Sequence, residues 1–220
     1  MTGEGSTDRF VYDEVPYPTS ITPALTPDRI RGAAIVQGYR PPVGAGASFL
    51  EIGCGEGHNL LGIAAAEPGV RCVGFDLSSE AIGRGRALVE SVGMDNVDLH
   101  AGDILTYPRD GERFDYIACH GVYTWIPLHV RPALLELIAA RLAPGGIAYV
   151  SMDCLPGAAA KVQINRFLRD LTRHIPDTGG KIAEAARLVG LLASNQREDS
   201  RLKAQLDQLV HELPHYDPYY

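Results

Sequence analysis

The chain has 220 residues, 45% of them hydrophobic and 21% charged, and carries a net charge of −7. That length allows one well-buried domain with an appendage, and the composition is that of a globular protein, which excludes a disordered or fibrous chain. An acid excess with no basic block excludes the electrostatic footprint of a nucleic-acid binder.

The first eight residues are polar and no run of about 18 apolar residues occurs, so a soluble, cytoplasmic protein without membrane insertion is expected. The lysines are Lys161, Lys181 and Lys203, so the other basic residues are arginines spread among acids, as expected of a solvated surface. Cys54, Cys72, Cys119 and Cys154 stand apart, without C-x-x-C spacing, and read as buried free thiols with no metal site.

Residues 1–46 are rich in Pro, Thr and Gly and read as an N-terminal lid segment with one helix. Thr26 is a good cap before Pro27, and Ile30, Ala33, Ala34 and Gln37 follow helical spacing in a run to Tyr39, ended by Pro41-Pro42. From 48 to 150 short apolar runs alternate with amphipathic segments, the pattern of a parallel sheet with crossover helices. Strands are predicted over 48–52, 71–76, 97–101, 114–120 and 147–152, and helices over 58–66, 79–92 and 130–142. The sheet domain is set at 47–157. After Pro156 only helices are predicted, over 158–174, 181–192 and 201–213, forming a helical segment 158–220. The fold class is α/β, a Rossmann-like sheet with helices on both faces followed by helices.

Chemistry concentrates where the first strand runs into Glu51-Ile52-Gly53-Cys54-Gly55-Glu56-Gly57 and then a helix. Glycines allow positive φ and close approach, and amides at a helix start receive a carboxylate or phosphate. A dinucleotide loop would need a small third residue at position 58, where His58 stands, so that fingerprint fails. About twenty residues on, Asp76 ends the second strand, where an acid chelates vicinal ribose hydroxyls or simply caps the next helix. Gly102-Asp103-Ile104 follows the third strand, with Asp103 a candidate acceptor or a turn stabiliser.

This E-x-G-x-G-x-G loop, with Asp76, Gly102-Asp103-Ile104, the strand ending at His120 and the turn Leu142-Ala143-Pro144-Gly145-Gly146, resembles the class I S-adenosylmethionine-dependent methyltransferases. The resemblance implies S-adenosylmethionine as cofactor. Its methionine part would lie on the loop, with Glu51, Gly53, Cys54, Gly55, Gly57 and Asn59 as the binding candidates. Asp76 would take the ribose, Leu77 and Ile104 would flank the adenine, and Asp103 would accept its amino group. The family usually closes its sheet with a further β-hairpin, which is not visible in this sequence.

A narrower group is also similar: bacterial protein lysine methyltransferases that carry a methyltransferase regulatory domain. The matching pieces are Tyr12-Asp13-Glu14-Val15-Pro16-Tyr17 with Thr26-Pro27, Cys54-Gly55-Glu56-Gly57-His58-Asn59-Leu60, and His120-Gly121-Val122-Tyr123-Thr124-Trp125-Ile126-Pro127. The likeness implies Tyr12 beside the cofactor, His120 touching cofactor and acceptor, and His120, Tyr17 and Tyr123 as catalytic candidates. Tyr17, Tyr123 and Trp125 would line the acceptor slot, though each of these side chains equally suits plain packing at the sheet edge. The implied acceptor is a protein lysine. A small-molecule N- or O-methyltransferase with His120 as general base, and a cofactor-binding regulator without turnover, are the alternatives.

Overall fold

The computed structural model describes residues 21–41 and 46–212. Within them, 21–152 build one compact unit and 153–212 a second.

The first unit carries β1 Ser48–Ile52, β2 Arg71–Asp76, β3 Val97–Ala101, β4 Phe114–Cys119 and β5 Leu142–Val150. They form one sheet in the order β3-β2-β1-β4-β5, and every pairing is parallel. Its helices are α1 Pro27–Val36, α2 His58–Ala66, α3 Ser79–Val92 and α4 Val130–Arg141, after a short 3-10 turn at Pro23–Leu25. Phe49, Leu60, Ile63, Cys72, Ile82 and Tyr116 fill one face of the sheet, together with Leu25 and Ile30. Leu50, Ile52, Phe75, Ile117, Leu134 and Leu137 fill the other. Strands buried on both sides need apolar residues in both phases of the alternation, which is why they read as continuous apolar runs. The described residues contain no strand beyond Val150.

The second unit is α5 Ala159–Thr172, α6 Thr178–Ser194 and α7 Arg201–Glu212. Leu168, Ala185, Val189, Ala193, Leu206 and Leu209 form its own core. Asp177 caps α6, its carboxylate accepting from the Gly180 amide at 2.6 Å.

Four expectations are corrected. The first helix ends at Val36, short of Tyr39, because Gly38 takes φ +84° and the Gly38 and Tyr39 amides return to Ile35 and Ala34, a glycine C-cap that acts before the prolines do. The fifth strand begins earlier: Leu142 already pairs with Phe114, residues 143–146 bulge out, and pairing resumes at Ile147 opposite Tyr116. Cys154 is exposed and Cys54 half-buried, whereas Cys72 and Cys119 are buried. The arginines are not all surface solvation. Buried Arg141 donates to the carbonyls of Glu112 and Pro108 and lies over the rings of Tyr107 and Phe114.

Helix α3 offers an internal control on packing. A Cβ at Gly83 would meet nothing within 4 Å, whereas one at Gly85 would sit 2.4 Å from the carbonyl oxygen of Glu56 and 2.8 Å from Leu99. Alanine is favoured over glycine in a helix by about 1 kcal/mol, so Gly83→Ala should gain roughly that amount. At Gly85 the clash is with backbone that cannot swing aside, and Gly85→Ala should instead lose about 1–3 kcal/mol. Urea unfolding of the two variants reads the opposite signs directly.

Candidate functional site

The carboxyl ends of β1, β2 and β4 meet at the glycine loop, and register decides what lies there. Glu51 is opposite Gly74 of β2 and Ala118 of β4, and Ala118 is in turn opposite Tyr149 of β5. In a parallel sheet, paired residues share a face, so one row reads Gly74, Glu51, Ala118, Tyr149. A Cβ at Gly74 would fall 2.5 Å from Leu60 and 2.7 Å from the Cys54 sulfur, so the glycine lets these two side chains pack beside Glu51.

Glu51 is buried. Its Oε1 accepts from Asn59 Nδ2 at 3.2 Å, and its Oε2 is buried with no hydrogen-bond partner among the described residues. Burial raises its pKa, pushing it up to about 8; the Asn59 hydrogen bond opposes the shift and the charge of Asp76 adds to it. The orientation of Asn59 is fixed from its other side, where Oδ1 accepts from the Thr22 amide at 3.2 Å. Burial, with the nearby carboxylates Glu51 and Asp76, also holds the Cys54 thiol well above its ordinary range, so it is no nucleophile.

Gly53, Gly55 and Gly57 all take positive φ, between +54° and +77°. Their surroundings differ. A Cβ on Gly53 would fall 2.4 Å from a Val122 methyl, and one on Gly57 would fall 2.9 Å from Leu99, but one on Gly55 would meet nothing. The outer two glycines therefore admit protein neighbours, and Gly55 faces open space. Asp76 is held ready beside it, with Oδ2 accepting from the Gly55 amide at 2.8 Å and Oδ1 from the Ser78 amide at 2.9 Å. The capping of the following helix, the bland alternative for Asp76, is instead done by Ser78, whose hydroxyl accepts from the Ala81 amide. Leu77 is exposed beside it. The Gly102 amide donates to the Asp76 carbonyl, which brings the 102–107 turn alongside. There Asp103 stabilises its own turn, with Oδ1 accepting from the Leu105 amide at 2.9 Å, and Ile104 packs into the core of that face.

After β4, His120 is exposed at the strand end, yet desolvation by its neighbours lowers its pKa below the ordinary imidazole value, which keeps it neutral near pH 7. Its ring lies 6.1 Å from that of Tyr149. Tyr149 belongs to the site by register and was not singled out in the sequence, because nothing local distinguishes it from its strand neighbours. The Trp125 and Ile126 amides bond back to the Val122 carbonyl, making a turn whose Val122 sits on Gly53. Tyr123 is turned into the core of the same face with the Arg131 guanidinium over its ring at 5.2 Å, and Trp125 is half-buried. Arg131 also donates to the Thr124 carbonyl at 2.8 Å. Tyr12 and Tyr17 lie outside the described residues. Among the described residues there is no cluster of three or more metal-ligating side chains, and no helix is long and apolar enough to cross a membrane.

Comparison with known proteins agrees with this geometry. A family model described as a methyltransferase domain matches residues 49–146. Two uncharacterised proteins of Rickettsia prowazekii are similar, one 39% identical over 151 residues, or 69% of this chain, and the other 34% identical over 158 residues, or 71%. The chain spans 60% of the first relative and 29% of the second. The solved structure of PKMT2 from Rickettsia typhi in complex with AdoHcy superimposes with a TM-score of 0.79 at 29% identity, covering 93% of this chain and 41% of that one.

The raised pKa of Glu51 has a consequence for the ligand-free protein. Folding moves the group from its ordinary 4.5 to about 8, so the folded state holds the proton more tightly. The resulting stabilisation is complete below about pH 4.5 and is lost as pH rises toward 8. The melting temperature should therefore fall between pH 5 and 8.5, and fall less steeply in Glu51→Gln. Parallel pH profiles for the two proteins would rule out a buried, protonated Glu51.

Proposed function

We propose, on the footing that a methyltransferase-domain model matches residues 49–146, that this chain binds S-adenosylmethionine at the carboxyl edge of its sheet and transfers the methyl group to the amine of a protein lysine. The observation that carries the reading is the placing of two acids, from the ends of β1 and β2, beside one glycine loop. Glu51 offers a buried oxygen without a partner among the described residues, and Asp76 is a carboxylate already oriented by two backbone amides.

These residues fit the two ends of that cofactor. Glu51 Oε2 would accept from the α-ammonium, the one donor strong enough to suit a buried acid. Asp76 would accept from the ribose hydroxyls over the open space at Gly55. Asp103, Ile104 and Leu77 stand along the adjacent strand ends, where the adenine would lie. When bound, the cofactor supplies a methyl group on a sulfonium, an electrophile that needs neither metal nor covalent intermediate.

The protein's remaining task is to present an unprotonated nitrogen in line and to exclude water. The acceptor amine forms its new C–N bond as the C–S bond breaks, so a lysine ammonium must first lose a proton. A poorly solvated slot favours that loss by lowering the amine's pKa. His120, neutral at the end of β4, is placed to take the proton on an imidazole nitrogen. Tyr149, Tyr123 and Trp125 are the proposed aromatic wall. The lysine acceptor is supported by the motifs around Tyr12 to Tyr17 and His120 to Pro127 and by the likeness to PKMT2. The exposure of His120 favours a second reading, in which it acts as base toward a small amine or hydroxyl acceptor.

A labelled methyl donor, incubated with the protein and either the protein fraction or the small-molecule fraction of a cell extract, separates the two acceptors. Label on protein that survives as methyl-lysine supports the first reading, and label in the small-molecule fraction alone supports the second.

Asp76→Ala should weaken S-adenosylhomocysteine binding roughly tenfold or more, since charge-assisted hydrogen bonds are worth about 1.5–3 kcal/mol. Calorimetry checks this, and an unchanged Kd would remove Asp76 from the site. Tyr123→Phe and Trp125→Ala should leave the same Kd within a fewfold while lowering turnover or raising the acceptor KM.

A further inference from the structure

The surroundings of Glu51 show how the proposed cofactor must enter. Asn59 is held at both ends of its amide. The Thr22 N–H occupies Oδ1, so the group facing Glu51 is the Nδ2 donor. Asn59 therefore gives a hydrogen bond to Glu51 and accepts none from it. A proton on the Glu51 carboxyl finds no acceptor on Asn59, and Oε2, the oxygen left over, has no partner in the described structure.

The ionisable groups around Glu51 point the same way. On β2 they are Asp76, which acts on Glu51 as a like charge, and Cys72; in the loop and on β4 they are Cys54 and Cys119, each of which responds to the charge of Glu51. On α2, His58 is directed toward Glu56, 4.0 Å away, and Tyr149 is two strands distant in the same row. Among the described residues no cation offsets the Glu51 carboxylate. An ionised Glu51 in this position is stable only when a donor carrying positive charge reaches Oε2.

We propose that Asn59 is a positioning residue that fixes Glu51 as a one-way acceptor, so that an incoming cofactor ammonium displaces a proton from the Glu51 carboxyl. The proposal rests on the cofactor assignment above and adds its proton linkage. The balance is simple: the Glu51 O–H loses its proton to solvent, the ammonium donates to the oxygen so exposed, and one proton is released for each cofactor bound. Burial that holds the free carboxyl near pKa 8 supports this direction. Cofactor capture then weakens as the medium acidifies, well above the range where ordinary carboxylates titrate.

Titration calorimetry with S-adenosylhomocysteine tests the linkage without any acceptor. At pH 6.5, in phosphate and in Tris, whose ionisation enthalpies differ, the apparent enthalpies should differ by the value for about one released proton. Between pH 6 and 7.5, where the ligand's own amine stays charged, Kd should tighten about tenfold per pH unit. Glu51→Gln should bind more weakly, release no proton and show a flat profile. Asn59→Ala, which removes the bond opposing the shift, should move the pH at which affinity levels off upward from that of the wild type. Binding by the wild type with no proton released, or an unmoved profile in Asn59→Ala, overturns the proposal while leaving the cofactor assignment standing. A wild-type protein that binds no S-adenosylhomocysteine at any pH overturns both.

Discussion

Ionising a buried carboxyl group without a counter-charge is costly, and the carboxyl edge of this sheet is built around one, Glu51, that has no cation beside it among the described residues. Gly74, opposite Glu51 on β2, lacks a side chain because Leu60 and Cys54 already fill the space a Cβ would need. Asn59 satisfies one oxygen and is itself locked by Thr22, which ties the start of the described chain to the sheet through a single side chain. Gly55 lends its amide to Asp76, so the loop that follows the strand of Glu51 also holds the second acid. Asn59 and Gly55 thus each supply one hydrogen-bond donor to an acid at this edge.

Much of this was legible in the sequence because the signals are local. Both-phase apolar runs placed β1 and β2 at their observed limits, and Pro27 marked the start of α1 through its fixed φ, with no side-chain cap bond from Thr26. The glycine loop was equally plain, since a strand that must turn at once into a helix needs positive φ. What the loop sequence could not say is why each glycine is there. Gly53 and Gly57 are required by Val122 and Leu99, residues 69 and 42 positions away in the chain, and only the assembled sheet brings them together.

The misjudged features share that non-local origin. Leu142 joins the fifth strand because Phe114 is available to pair with it, so the proline-glycine turn becomes a bulge inside a strand where the sequence suggested a boundary. Tyr149 enters the site through registry across two strand pairs, a relation that has no signature within its own segment. Gly38 is the exception, since a glycine C-cap was readable and the more conspicuous prolines at 41 and 42 drew the boundary beyond it. At such helix ends the first residue able to adopt a left-handed turn decides, ahead of the first residue unable to continue the helix.

The arginines show why charge counts mislead about surfaces. The loops that carry the site, between β3 and β4 and between β4 and α4, expose carbonyl groups that no strand or helix satisfies. Arg109 donates to the carbonyls of Ile104, Leu105, Tyr107 and Ala133, Arg141 to those of Pro108 and Glu112, and Arg131 to that of Thr124. A guanidinium does this well because its donors are spread over a rigid plane, and its weak hydration lets it stack on Tyr107, Phe114 and Tyr123 in the same place. An ammonium has three donors on one strongly hydrated atom and cannot span two carbonyls while lying on a ring. The absence of lysine from the first 160 residues is thus consistent with positive charge used as internal scaffolding, which holds the Val122 to Ile126 turn and the Asp103 turn at fixed positions beside the two acids.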